Sequence, residues 1–363
     1  MFSIHNRSDI DQDIRRDIDF IVSAIDATVI AYDSIYLLGS FGRGEGTVEF
    51  DGCSWRGVND YDLLVICPDD LRVTTSFKYL GRDLARSLVI DFVDVGWMRR
   101  SSLHTLLPTI ENYDLKYASL LLAGVDRREE IPRFRAEDIS AYEFVRLLCN
   151  RVAGLLTMRL PERTQSAAYC RNQYVKASIA VGDISVYLDQ GYHPSYAARF
   201  QAFKALVQDR RLPFYLSAEA IDVIVKAYEA KLSLSSSSGF SVERRLMQKT
   251  LESAFCAIAK HCTTRPVATV FDAEKALRGY YQETQDVGRR GRHRLFGKWN
   301  KPPVSRQALK NLILFSQPFF FCRSKSGLQD RWGYFSRFAT IPGALAREWS
   351  ALSAVLMWEE YCH

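Results

Sequence analysis

Asp60 immediately precedes, and Asp62 lies second in, a run, residues 61–67 (YDLLVIC), whose apolar and β-prone residues otherwise read as a strand closed by Pro68. A strand alternates its side chains, so both carboxylates fall on one face about 7 Å apart. There they repel each other unless a cation lies between them. A second apolar run, residues 34–38 (SIYLL), precedes them and stops at Gly39-Ser40. Residues 71–87 read as a helix, and residues 88–97 (LVIDFVDVGW) as a third strand carrying Asp91 and Asp94 on opposite faces. Strand, glycine turn, strand, helix, strand is an α/β pattern that predicts a small sheet packed with helices. Charge inside an apolar strand is costly unless it is paired or bound to metal.

Ahead of this pattern, Ile10, Ile14, Ile18, Ile21 and Ile25 recur at helical spacing. They predict an amphipathic helix over residues 9–31, with Ser8 and Asp11 in a capping arrangement. Asp51-Gly52, flanked by Val48, Phe50, Trp55 and Val58, marks a hairpin in the 47–59 insertion, expected to reach over the site. These elements define a first domain over residues 1–108. Beyond residue 109 strand signals fade, and helical patterns run over 138–160, 166–190, 195–208, 217–233 and 241–262. The Ser-rich tract 232–240 (LSLSSSSGF) reads as a loop between two of these helices. A helical domain over 109–263 and a basic, aromatic-rich helical region over 264–363 complete an expected α+β architecture.

At 47% hydrophobic and 25% charged residues, the composition is that of a folded globular chain, which excludes dominant disorder and collagen-like structure. No apolar run approaches the roughly 18 residues of a membrane span. The acidic and basic residues Asp9, Asp11, Asp13, Arg15 and Arg16 leave no apolar leader core. Eight scattered cysteines, with no CxxC pair, read as free thiols, so a cytoplasmic location is expected. Charge is unevenly spread. Residues 1–100 carry 11 Lys/Arg against 17 Asp/Glu, whereas residues 287–347 carry 13 Lys/Arg against one acid, Asp330. A cation-seeking N-terminal half and an anion-facing C-terminal segment follow.

The stretch 37–46 (LLGSFGRGEG) fits neither a dinucleotide-binding fingerprint nor a Walker loop, since Thr47 ends it and no GK[ST] follows. Its glycines, Gly39 and Gly42 first among them, let backbone N–H groups approach a phosphate closely. Ser40 can donate a hydroxyl to a phosphate oxygen, and Arg43 can supply charge or bond within the turn.

In this order, Gly39-Ser40 after one strand, Asp60-Tyr61-Asp62 on the next and a later strand acid resemble the DNA polymerase β-like nucleotidyltransferase superfamily. The resemblance spans about 60 residues, from Ile35 to Val95. It implies a Mg²⁺-dependent enzyme with two metal ions that moves a nucleoside monophosphate from an NTP to an acceptor, releasing pyrophosphate. By that resemblance Asp60 and Asp62 bind both metals, and Asp91 holds the catalytic ion and helps deprotonate the acceptor, with Asp94 competing for this place. Gly39, Ser40, Gly42 and Arg43 would hold the nucleotide. On the 171–183 helix, Asn172, Lys176 and Asp183 lie within about 40° of one another, and Lys176 is the residue expected to reach the triphosphate. Asp183 or Glu143 would position an acceptor, while a solvated or internally paired stripe explains the same spacing. GYHPSY (191–196) reads better as a turn with packed tyrosines than as a base-stacking platform.

The basic stretch, with Arg289, Arg290, Arg292 and Arg294 as its surface cations, suits nucleic acid or another polyanion over residues 289–310. Two further functions fit the same residues: a synthase of oligonucleotides or cyclic nucleotides activated by a polyanion, and a non-catalytic nucleotide- or RNA-binding regulator.

Overall fold

A computed structural model describes residues 1–28, 31–58, 60–70, 77–158, 167–234, 240–263, 266–269, 272–273 and 276–277. In chain order its helices and strands are α1 (Ser8–Asp26), β1 (Ser34–Leu37), α2 (Gly39–Gly42), β2 (Val48–Phe50), β3 (Trp55–Gly57), β4 (Asp60–Cys67), α3 (Phe77–Leu88), β5 (Phe92–Arg99), α4 (Ile110–Ala118), β6 (Leu120–Gly124), α5 (Ala141–Thr157), α6 (Ala167–Gln190), α7 (Tyr196–Gln208), α8 (Ala218–Leu232) and α9 (Arg244–Cys262). The chain is mixed α+β and separates into two compact units. One comprises Met1–Ser140, Gln190–Ala205 and Val225–Phe240; the other comprises Ala141–Asp189, Leu206–Ile224 and Ser241–His363. The basic stretch and its four arginines lie outside the described residues. Among the described residues no helix is long and apolar enough to cross a membrane.

The first unit is built on a four-stranded mixed sheet in the order β5-β4-β1-β6. β1 runs antiparallel to both β4 and β6, and β4 runs parallel to β5. Alternation sorts the strand residues between two cores. Ile35, Leu37, Tyr61, Leu63, Val65, Val93 and Val95 join the five isoleucines of α1 and Phe77 and Leu84 of α3. Tyr36, Leu64 and Ile66 point the other way, against Leu103, Leu115 of α4, Ile131 and Phe134. All five isoleucines of α1 are at most 1% exposed, as the spacing predicted.

Three expectations change. The N-cap of α1 is Arg7 and makes no side-chain cap bond; Asp11 instead accepts from the backbone N–H of Phe2 at 2.7 Å. The β2–β3 hairpin forms, but it docks on α1 and does not reach over Asp60 and Asp62. Trp55 donates its backbone N–H to Asp13 (2.8 Å) and its indole N–H to Asp9 (3.0 Å). This hairpin therefore lies on the α1 side of the sheet, whereas residues 60 and 62 alternate to the α4 side. Finally, β6 carries the sheet past residue 108, because Leu120–Gly124 pairs along the free edge of β1.

The second unit is helical. α6 is buried on every side from Ala177 to Val186, Asp183 included, whereas Asn172 and Lys176 on the preceding turns are half-buried. α5 packs against α9. Near the start of α5, Phe144 stacks on Tyr187 of α6 with ring centroids 3.9 Å apart. Near its end Gly154 admits Gln173, whose side-chain oxygen fills the place of a Cβ. The two helices therefore run antiparallel in close contact.

Candidate active site

β1 ends at Leu37, opposite Leu63 of β4, and the backbone N–H of Leu38 donates to the carbonyl of Asp62 at 2.8 Å. The chain then turns sharply. Gly39 has φ +61°, in the left-handed region, where an L side chain is strained. A Cβ there would also overlap Asp62 Oδ2 and stand 3.1 Å from its Cγ. The glycine of Gly39-Ser40 and the second acid of Asp60-Tyr61-Asp62 thus meet face to face. At Gly42 a Cβ would overlap the carbonyl oxygen of Leu37, so the turn folds back tightly on the strand that leads into it. Ser40 is buried, and its carbonyl accepts from Glu45 N–H at 2.8 Å.

Across the sheet, β4 and β5 are in parallel register with Asp60 beside Phe92 and Asp62 beside Asp94. Registered residues on neighbouring parallel strands share a face and stand about 4.8 Å apart. Asp60, Asp62 and Asp94 therefore lie on one face, together with the exposed ring of Phe92. Asp60 and Asp62 are half-buried and Asp94 is exposed. Asp91 is exposed too, but it precedes the first residue of β5 and has the opposite parity. The register brings Asp94, not Asp91, beside Asp62. Two acids three residues apart cannot both serve one face, and sequence alone does not give the pairing that chooses between them.

The charged residues of 43–46 turn inward. Arg43, only 9% exposed, pairs with Asp114 of α4 (Nη1–Oδ2 2.7 Å) and stands 3.7 Å from Glu45. Of the two roles expected for it, charge for a phosphate or a bond within its own fold, the described contacts are of the second kind. Asp114 also accepts from Tyr192 Oη at 2.7 Å. Burial pushes the Asp114 carboxyl up from its ordinary value, against the pull of Arg43. Burial first and the neighbouring Asp114 second hold the Tyr192 hydroxyl well above the usual phenol range. Three cations surround the ring of Tyr196: Arg199 at 4.4 Å, Arg43 at 5.1 Å and Lys231 at 5.6 Å from its centroid. GYHPSY is thus a turn of packed tyrosines, with Tyr192 and Tyr196 engaged by side chains of their own unit. The sequence carried no signal for Asp114 as the partner of Arg43 or for Glu45 as the partner of Ser195, because these pairings span 71 and 150 residues.

Lys176, half-buried, and Asp183 and Glu143, both buried, belong to the second unit, on α6 and α5. Glu143 pairs with Arg146 at 3.0 Å. A cavity of about 250 Å³, lined by Arg15, Ile18, Asp19, Val22, Ser23 and Leu122, lies on the α1 side of the sheet. It is therefore on the face opposite the aligned acids.

The acids on the open face are all oxygen donors, the chemistry that suits Mg²⁺. Among the described residues no three His, Cys, Asp or Glu side chains are gathered closely enough to hold a metal ion. Binding one here would require the side chains of Asp60, Asp62 and Asp94 to draw together. No protein-family model matches the chain, and no curated protein matches it.

Proposed function

We propose that the chain is a Mg²⁺-dependent nucleotidyltransferase that moves a nucleoside monophosphate from an NTP to a hydroxyl-bearing acceptor, releasing pyrophosphate. The observation that carries this reading is the contact between the left-handed Gly39 turn and Asp62, with Asp60 and Asp94 on the same face. Asp60, Asp62 and Asp94 are the residues that would hold divalent ions. Bound there, such ions would neutralise charge developing on the transferred phosphoryl group and its leaving oxygen.

The chain's own groups have separate tasks. Gly39 keeps the turn low enough for Asp62 to reach across it, and the Ser40 hydroxyl orients a terminal phosphate. Asp94, on the outermost of these strands, is the acid best sited to accept a proton from the acceptor. Arg43 keeps the loop folded through Asp114. Residues 289–310 remain a proposed polyanion-binding stretch.

Incubation with each NTP and Mg²⁺, with and without nucleic acid, tests the reading. Pyrophosphate release that disappears in Asp60→Asn/Asp62→Asn supports it. Product formed from NTP alone identifies a synthase. NTP or RNA binding without turnover identifies a regulator and removes the catalytic claim.

A further inference from the structure

Two stretches with separate sequence signals, the glycine-rich residues 37–46 and GYHPSY (191–196), meet through Glu45. Its carboxylate is 5% exposed. It accepts from Ser195 Oγ at 2.7 Å, Tyr196 N–H at 2.8 Å and Ala197 N–H at 3.0 Å. It therefore satisfies the open N–H groups at the start of α7, where a negative charge also opposes the helix dipole favourably. Ser195 Oγ accepts in turn from Ala198 N–H at 3.1 Å, closing the cap. On its other side, the Glu45 backbone N–H donates to the Ser40 carbonyl at 2.8 Å. One buried residue thus joins the turn that carries Ser40 to the first turn of a helix 150 residues later in the chain.

A helix cap supplied by the residue next to the cap is common; a cap drawn from a remote glycine-rich loop fixes the loop as well as the helix. Gly42, Gly44 and Gly46 give the segment 39–46 a backbone with wide freedom, which a phosphate-facing turn must lose to be effective. We propose that Glu45 is a positioning residue: by gripping α7 it holds the Gly39–Ser40 turn against Asp62. What the turn holds rests on the nucleotidyltransferase reading, whereas the tie itself does not.

The test uses the full chain, wild type and as Ser40→Ala, Glu45→Gln and the double variant. Mg²⁺–NTP affinity is titrated for each, and amide hydrogen exchange is followed over 39–46 and 196–199. Each single substitution is expected to weaken binding about tenfold, with the double variant no weaker than the worse single one. Exchange in Glu45→Gln should quicken about tenfold or more in both segments. Additive losses in the double variant, or unchanged affinity in Glu45→Gln, overturn the proposal. Should the wild type bind no NTP, the functional reading fails and exchange alone judges the tie. Acceleration confined to 196–199 then overturns it, and acceleration of both segments upholds it. If Glu45→Gln does not fold, Ser195→Ala removes one of the three bonds and is expected to give the same pattern at about threefold amplitude.

Discussion

The carboxylate of Asp62 occupies the space that a side chain on Gly39 would need, and the backbone of Gly39 is already in the left-handed region that such a side chain resists. Two residues of separate sequence motifs are therefore one steric object. Gly39→Ala should cost about 1–2 kcal/mol from the backbone conformation alone, and more from displacing Asp62. Urea unfolding measures the first effect. Mg²⁺–NTP binding measures the second, which should fall further than the stability loss explains; unaltered binding would detach the turn from the acids.

Asp94 and Asp91 separate cleanly by substitution. Asp94→Asn should lower nucleotidyl transfer about 100-fold or more, as expected for loss of a group acting on the transferred proton. Asp91→Asn, outside β5 and of opposite parity, should stay within about threefold. Equal damage from both would mean that the β4–β5 register does not define the site.

Removing the guanidinium of Arg43 should destabilise the first unit. Arg43→Met leaves Asp114 and Glu45 buried without their cation, a loss of about 3–5 kcal/mol by analogy with other broken buried pairs. Adding Asp114→Asn removes one of the stranded charges and should recover part of that loss. A double variant no better than Arg43→Met would show that the pair is not coupled in stability.

Acid should loosen the loop that follows β6 and its link to Tyr36 of β1. Asp126 accepts from three donors of Arg128, its backbone N–H, Nε and Nη2, and from Tyr36 Oη. Arg128 above all holds its carboxyl down at about 2. A depressed carboxyl contributes stability that is present above the unfolded value near 3.9 and is lost as pH falls through about 2. The melting temperature should therefore drop between pH 4 and pH 2, and Asp126→Asn should flatten that drop. A slope identical in the variant would assign the acid sensitivity to other carboxylates.

Helices were legible wherever one face repeats. Ile10 to Ile25 fixed α1 because burial on one stripe leaves a period of 3.6 in the sequence, and only its last turn was overestimated. β4 was legible from its apolar run and Pro68. β5 was expected to begin at Leu88, yet α3 extends to Leu88 and Val89 takes φ +54° before the strand starts at Phe92. That shift bears on the choice between Asp91 and Asp94. β6 went unread because LLLAG is too short to display alternation and has no turn pair before it. Arg43 read as a ligand for a physical reason: a cation beside glycines looks the same in sequence whether its anion is a phosphate or an aspartate 71 residues away.

Glu45 gripping α7 also bears on how the polypeptide matures. The sheet-bearing unit draws on segments as late as Phe240, so the ribosome must release well over half the chain before this carboxylate finds its amides. Until then an N-terminal intermediate presents an unshielded Arg43–Glu45 pair and a loop with nothing to lean on, the kind of species that chaperones retain. Expression of residues 1–140 alone is accordingly the wrong way to isolate the acid-bearing sheet.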